Sequence, residues 1–271
     1  MKDLSQLLKV AVTAAHDAGR YAQEMSAVGF VVDNKTDAAN LVTDVDRECE
    51  RRIVEHLLAD DPTANIIGEE GADRSGSSPV TWHIDPIDGT SNYVYGQPGY
   101  CVSIAASMGG VPTLGVVFDP SHSETFTAIA GQGAFRNNEA ISVRKTNELL
   151  GAIVATGFAY DRSIRFHQGT VIRDLLAHIG NIRRFGAAAL DLCWVGCGRL
   201  DAYYEIGLNS WDYMAGALIS SEAGAIVDDL RNGPPTSTFT FASTPSIEPQ
   251  LRQLLVDLNA DIPLVSKKSA S

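Results

Sequence analysis

Apolar residues in the first part of the chain recur with a helical period. Leu4, Leu7, Leu8, Ala11, Ala14, Ala15 and Ala18 stand three and four residues apart, which predicts an amphipathic helix over residues 4–25 with Asp3 as its cap. A polar stretch without period, residues 33–40, follows and reads as a surface loop. A second helix is expected to start near Asp44 and to use Val45, Cys49, Ile53, Val54 and Leu57. The period then changes. Residues 82–85, 103–108, 114–118, 125–129 and 133–136 are short runs parted by Gly, Pro or Asn turns, the pattern of strands in a largely antiparallel sheet. Beyond Ala152 the pattern predicts strands at 153–156 and 202–206 and helices at 167–179, 188–196, 211–222 and 247–258. The small polar residues 266–271 read as a frayed tail.

Strands flanked by helices, without strict alternation of the two, predict a layered α/β (α+β) fold rather than a barrel. No internal repeat and no Pro-, Gly- or Ser-rich linker divides the sequence, so a single domain over residues 1–271 is expected. At 271 residues such a chain buries about three quarters of its unfolded surface and needs no crosslinks. Cys49, Cys101, Cys193 and Cys197 are too scattered for a disulfide framework and are expected to be buried free thiols.

Hydrophobic residues make up 45% of the chain and charged residues 20%, ordinary proportions for a soluble protein. No apolar run reaches the roughly 18 residues a membrane helix needs, and the start lacks the apolar core of a signal peptide, so a cytoplasmic protein is expected. The net charge of −12 and the lack of a basic block argue against nucleic acid or membrane partners. An acidic chain also repels phosphate, unless cations mediate.

The densest chemical signal is Trp82-His83-Ile84-Asp85-Pro86-Ile87-Asp88-Gly89-Thr90-Ser91-Asn92-Tyr93. It predicts a strand that ends at Asp85, an extended turn at Pro86, and a tight turn at Gly89 before Thr90 or Ser91 opens a helical turn. Asp-Pro and Asp-Gly occur in ordinary turns. Two further acidic loops change the weight of the motif: Glu69 and Glu70 follow Ile66-Ile67-Gly68, and Trp211-Asp212 opens a later helix. Acidic groups converging from three loops repel one another unless cations neutralise them, and hard divalent cations such as magnesium want oxygen ligands of this kind.

Together these segments resemble the inositol monophosphatase family of magnesium-dependent, lithium-sensitive phosphatases. The resemblance rests on Trp82 to Tyr93, on Trp211-Asp212 followed by Glu222-Ala223-Gly224, on Gly198 to Glu205, on Gly68-Glu69-Glu70 and on Leu41 to Asp46. It implies an αβαβα sandwich, with most metal ligands in residues 1–145 and the substrate pocket with Asp212 in residues 150–262. It further implies a homodimer and two or three Mg2+ ions per site.

Residue by residue, the resemblance implies that Glu69, Asp85 and the Ile87 carbonyl bind one magnesium. Asp85, Asp88 and Asp212 would hold a second, and Glu69, with Glu70 nearby, a weaker third. Thr90 and Asp46 would orient and deprotonate the attacking water, and the amides of Gly89 and Thr90 would cradle the phosphate. Asp88, Gly186, Ala188, Glu205 and Asp212 would line the pocket for the alcohol, where a carboxylate at Glu205 suits a polyhydroxylated ring. Arg183 and Arg184, just before this segment, read as surface salt-bridge partners or substrate contacts. Met214 and Ala187 depart from the family pattern, which bears on substrate choice, and Lys35 matches a lysine of the family's loop.

The activity these residues imply is hydrolysis of myo-inositol monophosphate, with histidinol phosphate, fructose 1,6-bisphosphate or a nucleotide 3′-phosphate as alternatives within the same chemistry. A catalytically silent regulatory relative is the reading from another class.

Overall fold

The computed structural model describes residues 3–35 and 40–261; the tail at 266–271 and residues 36–39 of the polar loop lie outside the described residues. The first part of the chain runs α1 (Leu4–Val28), β1 (Val32–Asn34), β2 (Leu41–Thr43), α2 (Asp44–Asp60), β3 (Asn65–Gly68), β4 (Val80–Asp88) and α3 (Thr90–Val94). Strands β5 (Cys101–Met108), β6 (Val111–Asp119), β7 (Glu124–Ile129), β8 (Ala134–Arg136) and β9 (Glu139–Ala140) follow. The remainder is β10 (Ile153–Thr156), α4 (Arg162–Leu175), β11 (Asn181–Arg183), α5 (Ala188–Gly196), β12 (Ala202–Glu205), α6 (Ser210–Glu222), β13 (Ile226–Asp228), β14 (Thr240–Ser243) and α7 (Glu248–Asp257).

A seven-stranded sheet has the order β3-β4-β5-β6-β7-β8-β9 and a five-stranded sheet the order β11-β10-β12-β14-β13. The larger sheet is antiparallel apart from β3 beside β4, in keeping with its short turns. Successive side chains of a strand point to opposite faces, and here both faces are covered. On β5, Val102, Ile104 and Ala106 join the core beneath α1 and α2, whereas Cys101 and Ala105 join the core beneath α5 and α6. On β12, Tyr203 faces α5 and α6 while Ala202 and Tyr204 face the core of α4 and α7. The layers are therefore helix, sheet, helix, sheet, helix, as the resemblance implies.

Alanines along α1 let it lie close on the sheet: Ala11, Ala14, Ala15, Ala18 and Ala22 are buried, and a β-carbon on Gly19 would stand 2.5 Å from the Phe118 ring. All four cysteines are free thiols, but Cys197 is only half-buried.

Several boundaries differ from the sequence expectation. The loop expected at 33–40 has strand at its flanks, since β1 pairs antiparallel with β2. Helix α4 starts at Arg162, where Asp161 caps it by accepting from Ser163 N, and ends before 179. Strand β12 stops at Glu205. The short strands β11, β13 and β14 were not legible, because runs of three or four residues are too short to establish a period. No helix among the described residues is long and apolar enough to cross a membrane.

Candidate active site

Strand β4 does not end at Asp85 but continues through Pro86 and Ile87 to Asp88, with an irregularity in its pairing to β5 between the two aspartates. Ile87 N donates to Asp85 Oδ1 at 3.0 Å, which folds the backbone around that carboxylate. Gly89 then turns the chain with φ +92, and a β-carbon there would stand 2.8 Å from the Gly99 carbonyl, so the turn needs glycine both for conformation and for space. Thr90 begins α3 directly afterwards.

Glu69 reaches the same place from β3. Because β3 runs parallel to β4 with Gly68 opposite Ile84, Glu69 emerges alongside Asp85, and its N–H donates to the Ile84 carbonyl at 3.1 Å. Asp212 arrives on the first turn of α6, where its Oδ2 accepts from Asn209 N at 2.6 Å in a capping box. Side chains of the large sheet hold this helix end: His83 Nδ1 lies 2.8 Å from Ser210 Oγ, and Ser103 Oγ donates to the Trp211 carbonyl at 2.9 Å. Carboxylate oxygens of Glu69, Asp85 and Asp212 consequently lie within 4.8 Å of one another. The cluster opens into a cleft of about 400 Å3 that Ile87, Asp88, Gly89, Thr90, Gly186, Ala188 and Glu205 also line.

Asp85 is 2% exposed, and burial together with the charges of Glu69, Asp88 and Asp212 pushes its pKa well above the usual carboxylate range. Burial and Asp212 do the same to Asp88. Burial, reinforced by Glu69, pushes Asp212 up to about 7. The one cation in hydrogen-bond contact with this group among the described residues is Lys35, whose Nζ donates to Glu69 Oε1 at 2.8 Å and Glu70 Oε1 at 2.5 Å. Burial alone would depress the Lys35 pKa, but the two glutamates outweigh it and raise it. A set of oxygen donors that is electrostatically under-compensated and already draws an ammonium group fits a hard divalent cation.

Asp46 does not line the cleft. It is 1% exposed at the start of α2, where its Oδ2 accepts from Thr43 N at 2.8 Å and Thr43 Oγ1 at 2.5 Å. Its Oδ1 accepts from Thr90 Oγ1 at 3.3 Å. One oxygen thus caps the helix and the other reaches the cleft through Thr90. Burial pushes Asp46 up to about 7 against the two bonds from Thr43. Thr90 Oγ1 also lies 3.2 Å from the Ile87 carbonyl. Glu70 stands behind the cleft, joined to Lys35. Asp88 lies outside the three-carboxylate cluster; its Oδ2 accepts from Ala189 N at 2.7 Å, which ties β4 to the start of α5.

At the far end of the cleft Glu205 Oε2 accepts from Tyr203 OH at 2.5 Å, and burial pushes the carboxyl up to about 7. Ala187 is buried against Gly89 rather than lining the cleft, and Met214 packs in the core under α5 and α6. Arg184 lines the cleft, while Arg183 turns to Asn181 Oδ1 and the Ile182 carbonyl. Gly157, Phe158, Tyr160, Arg165 and Asn209 also form its wall. None of these was picked out in the sequence; Asn209, one residue before the α6 start, carried the only signal, that of a cap.

Residues 3–262 match the inositol monophosphatase family. The chain belongs to that family. It is 38% identical over 263 residues to inositol monophosphatase 1 of Solanum lycopersicum, covering 94% of each chain. It is 42% identical over 229 residues to the Nus factor SuhB of Xylella fastidiosa, covering 83% of this chain and 82% of that one. Among solved structures, the extragenic suppressor protein SuhB of Bartonella henselae superimposes with a TM-score of 0.88 at 33% identity, covering 92% of this chain and 98% of the other. The inositol monophosphatase of Anabaena does so with a TM-score of 0.84 at 34% identity over 97% and 99%. Membership in the inositol monophosphatase family thus agrees with the layered fold and with the acidic cleft between the sheets.

Proposed function

We propose that this protein is a magnesium-dependent phosphomonoesterase that hydrolyses a small polyol monophosphate, with myo-inositol monophosphate the leading substrate. The observation that carries this reading is the convergence of Glu69, Asp85 and Asp212 beside the Thr90–Asp46 pair in one cleft.

Glu69, Asp85, Asp88, Asp212 and the Ile87 carbonyl would hold the metal, with Glu70 close by. Bound magnesium neutralises the carboxylates, attracts the phosphate and lowers the pKa of water. Thr90 orients the attacking water by hydrogen bond, and the hydroxyl hands its own hydrogen bond to Asp46 Oδ1, so the proton leaves the water along this pair. The amides of Gly89 and Thr90 hold the phosphate oxygens. Glu205, held through Oε2 by Tyr203, keeps acceptor capacity for hydroxyls of the departing alcohol. Gly186 and Ala188 leave room for the ring.

The same reading includes a single-domain cytoplasmic enzyme that pairs as a homodimer and is inhibited by lithium. It is tested by phosphate release from inositol, histidinol, fructose and adenosine phosphates with and without Mg2+. Turnover that requires Mg2+ and favours inositol monophosphate supports it; a strong preference for another ester overturns the substrate, and Mg2+-independent turnover the mechanism.

The second reading is a catalytically silent regulatory relative, and the Xylella relative carries the name of a factor. Retention of Asp46, Glu69, Asp85, Asp88, Thr90 and Asp212 supports the enzyme. Absence of turnover on the whole panel would favour the factor.

A further inference from the structure

We infer that Glu50 is a positioning residue that brackets the Glu69–Glu70 loop and so sets how tightly the carboxylate cluster holds a divalent cation. The inference rests on the proposed metal role of Glu69. Glu50 lies on α2, 4% exposed, one turn after Asp46 and on the same face. Its Oε1 accepts from Glu70 N and its Oε2 from Ala72 N, both at 2.9 Å. Among the described residues no lysine, arginine or histidine forms an ion pair with it, although Glu69 and Glu70 stand close enough to repel it. A buried carboxylate in that company is costly, and shape alone does not explain it, since a glutamine would fill the same space.

The loop's hydrogen bonding explains the choice. Two N–H groups in the same turn each need an acceptor, and a carboxylate supplies two, whereas an amide supplies one acceptor and turns an NH2 against the other N–H. The contact is close: a β-carbon on Gly68 would overlap Glu50 Oε1, so glycine at 68 lets the helix and loop meet. On its other side the loop is fixed by Glu69 N donating to the Ile84 carbonyl. Glu69 therefore sits between two anchors, one on β4 beside Asp85 and one on α2. Helix α2 thereby supports Asp46 through its first turn and Glu69 through Glu50, which ties the water-activating pair and the cluster to one rigid element.

The test uses the full chain with Glu50→Gln, which keeps volume, and Glu50→Asp, which keeps both acceptors but shortens the reach. Mg2+ binding by calorimetry should weaken about tenfold or more in Glu50→Gln, the size found when outer partners of metal ligands are changed. The Mg2+ concentration for half-maximal turnover should rise in parallel, with kcat at saturating Mg2+ nearly retained. Hydrogen exchange at the Glu70 and Ala72 amides should accelerate without change within α2. A merely structural role would lower Tm and leave Mg2+ affinity alone, and that outcome, or unchanged exchange at both amides, overturns the inference. If the unaltered protein binds no Mg2+, the proposed function fails instead, and the exchange readout alone decides the bracket. Should Glu50→Gln fail to fold, Glu50→Asp carries the same comparison.

Discussion

The Gly157 backbone lies against the Glu205 carboxylate so closely that a β-carbon at 157 would overlap both carboxylate oxygens. Glu205 cannot simply swing away, because Tyr203 OH holds its Oε2 at 2.5 Å. The end of the cleft proposed to take the alcohol is therefore fixed by a bare stretch of backbone and one phenol. Replacing Gly157 by Ala should raise KM for inositol monophosphate by about tenfold, the loss of roughly one hydrogen bond to a charged group. Turnover of p-nitrophenyl phosphate, which has no polyol hydroxyls, should change little. Steady-state kinetics on the two substrates measures the difference, and equal losses on both would remove Gly157 from substrate choice.

Glu205 also gives the cleft a pH dependence that can be isolated. Burial raises its pKa to about 7 in the folded protein, above the ordinary glutamate value of about 4.3 that holds when unfolded. The folded state thus binds the extra proton, and this stabilisation is complete below about pH 4 and lost as pH rises through 7. Metal-free protein should melt at a lower temperature at pH 8 than at pH 5, and Glu205→Gln should flatten part of that slope. Thermal melts of both proteins in EDTA at the two pH values check this; identical slopes would contradict it.

Asp46 serves a helix and a hydroxyl at once. Asp46→Asn should lower turnover by about 100-fold or more, since a positioned proton acceptor contributes that much. It should also cost roughly 1 kcal/mol of stability through the cap. Thr43→Ala should reproduce the stability loss with a smaller fall in turnover. Melting curves and phosphate release on both variants separate the two roles.

Asp88→Asn should abolish phosphate release while the fold persists, because an amide oxygen can still accept from Ala189 N. Near wild-type turnover would take Asp88 out of the mechanism. Circular dichroism confirms that the variant is folded.

Removing metal from the cluster should destabilise the fold. On the proposed reading Mg2+ binds the folded cluster and not the unfolded chain, so adding it at about 100 times its Kd should stabilise the protein by about 2.7 kcal/mol. In a chain of this size that is a rise in Tm of several degrees. The rise should be larger at pH 8 than at pH 5, where Asp212, its pKa raised to about 7, is protonated. A Tm indifferent to Mg2+ at both pH values would count against the cation site.

Much of the site was legible because its residues come in short runs. Trp82 to Tyr93 carries two carboxylates, a glycine turn and a hydroxyl on one stretch of backbone, and the helical periods around Ala11 to Ala18 and Ile53 to Leu57 mark the faces that bury. The order of types along the chain thus determined the helices and singled out the acidic loops, since period and turn residues act locally. The resemblance of those loops to a family supplied the candidate ligand roles and the class of chemistry. What lies across from what was not written there. That Asp46 turns its second oxygen to Thr90, that Glu50 braces the loop of Glu69, that Asp88 meets Ala189 N 101 residues away, and that Gly157 seats Glu205 are pairings between distant segments. Only the stacking of two sheets and three helical layers decides them, because a hydrogen bond depends on separation in space and carries no trace in the spacing of residues.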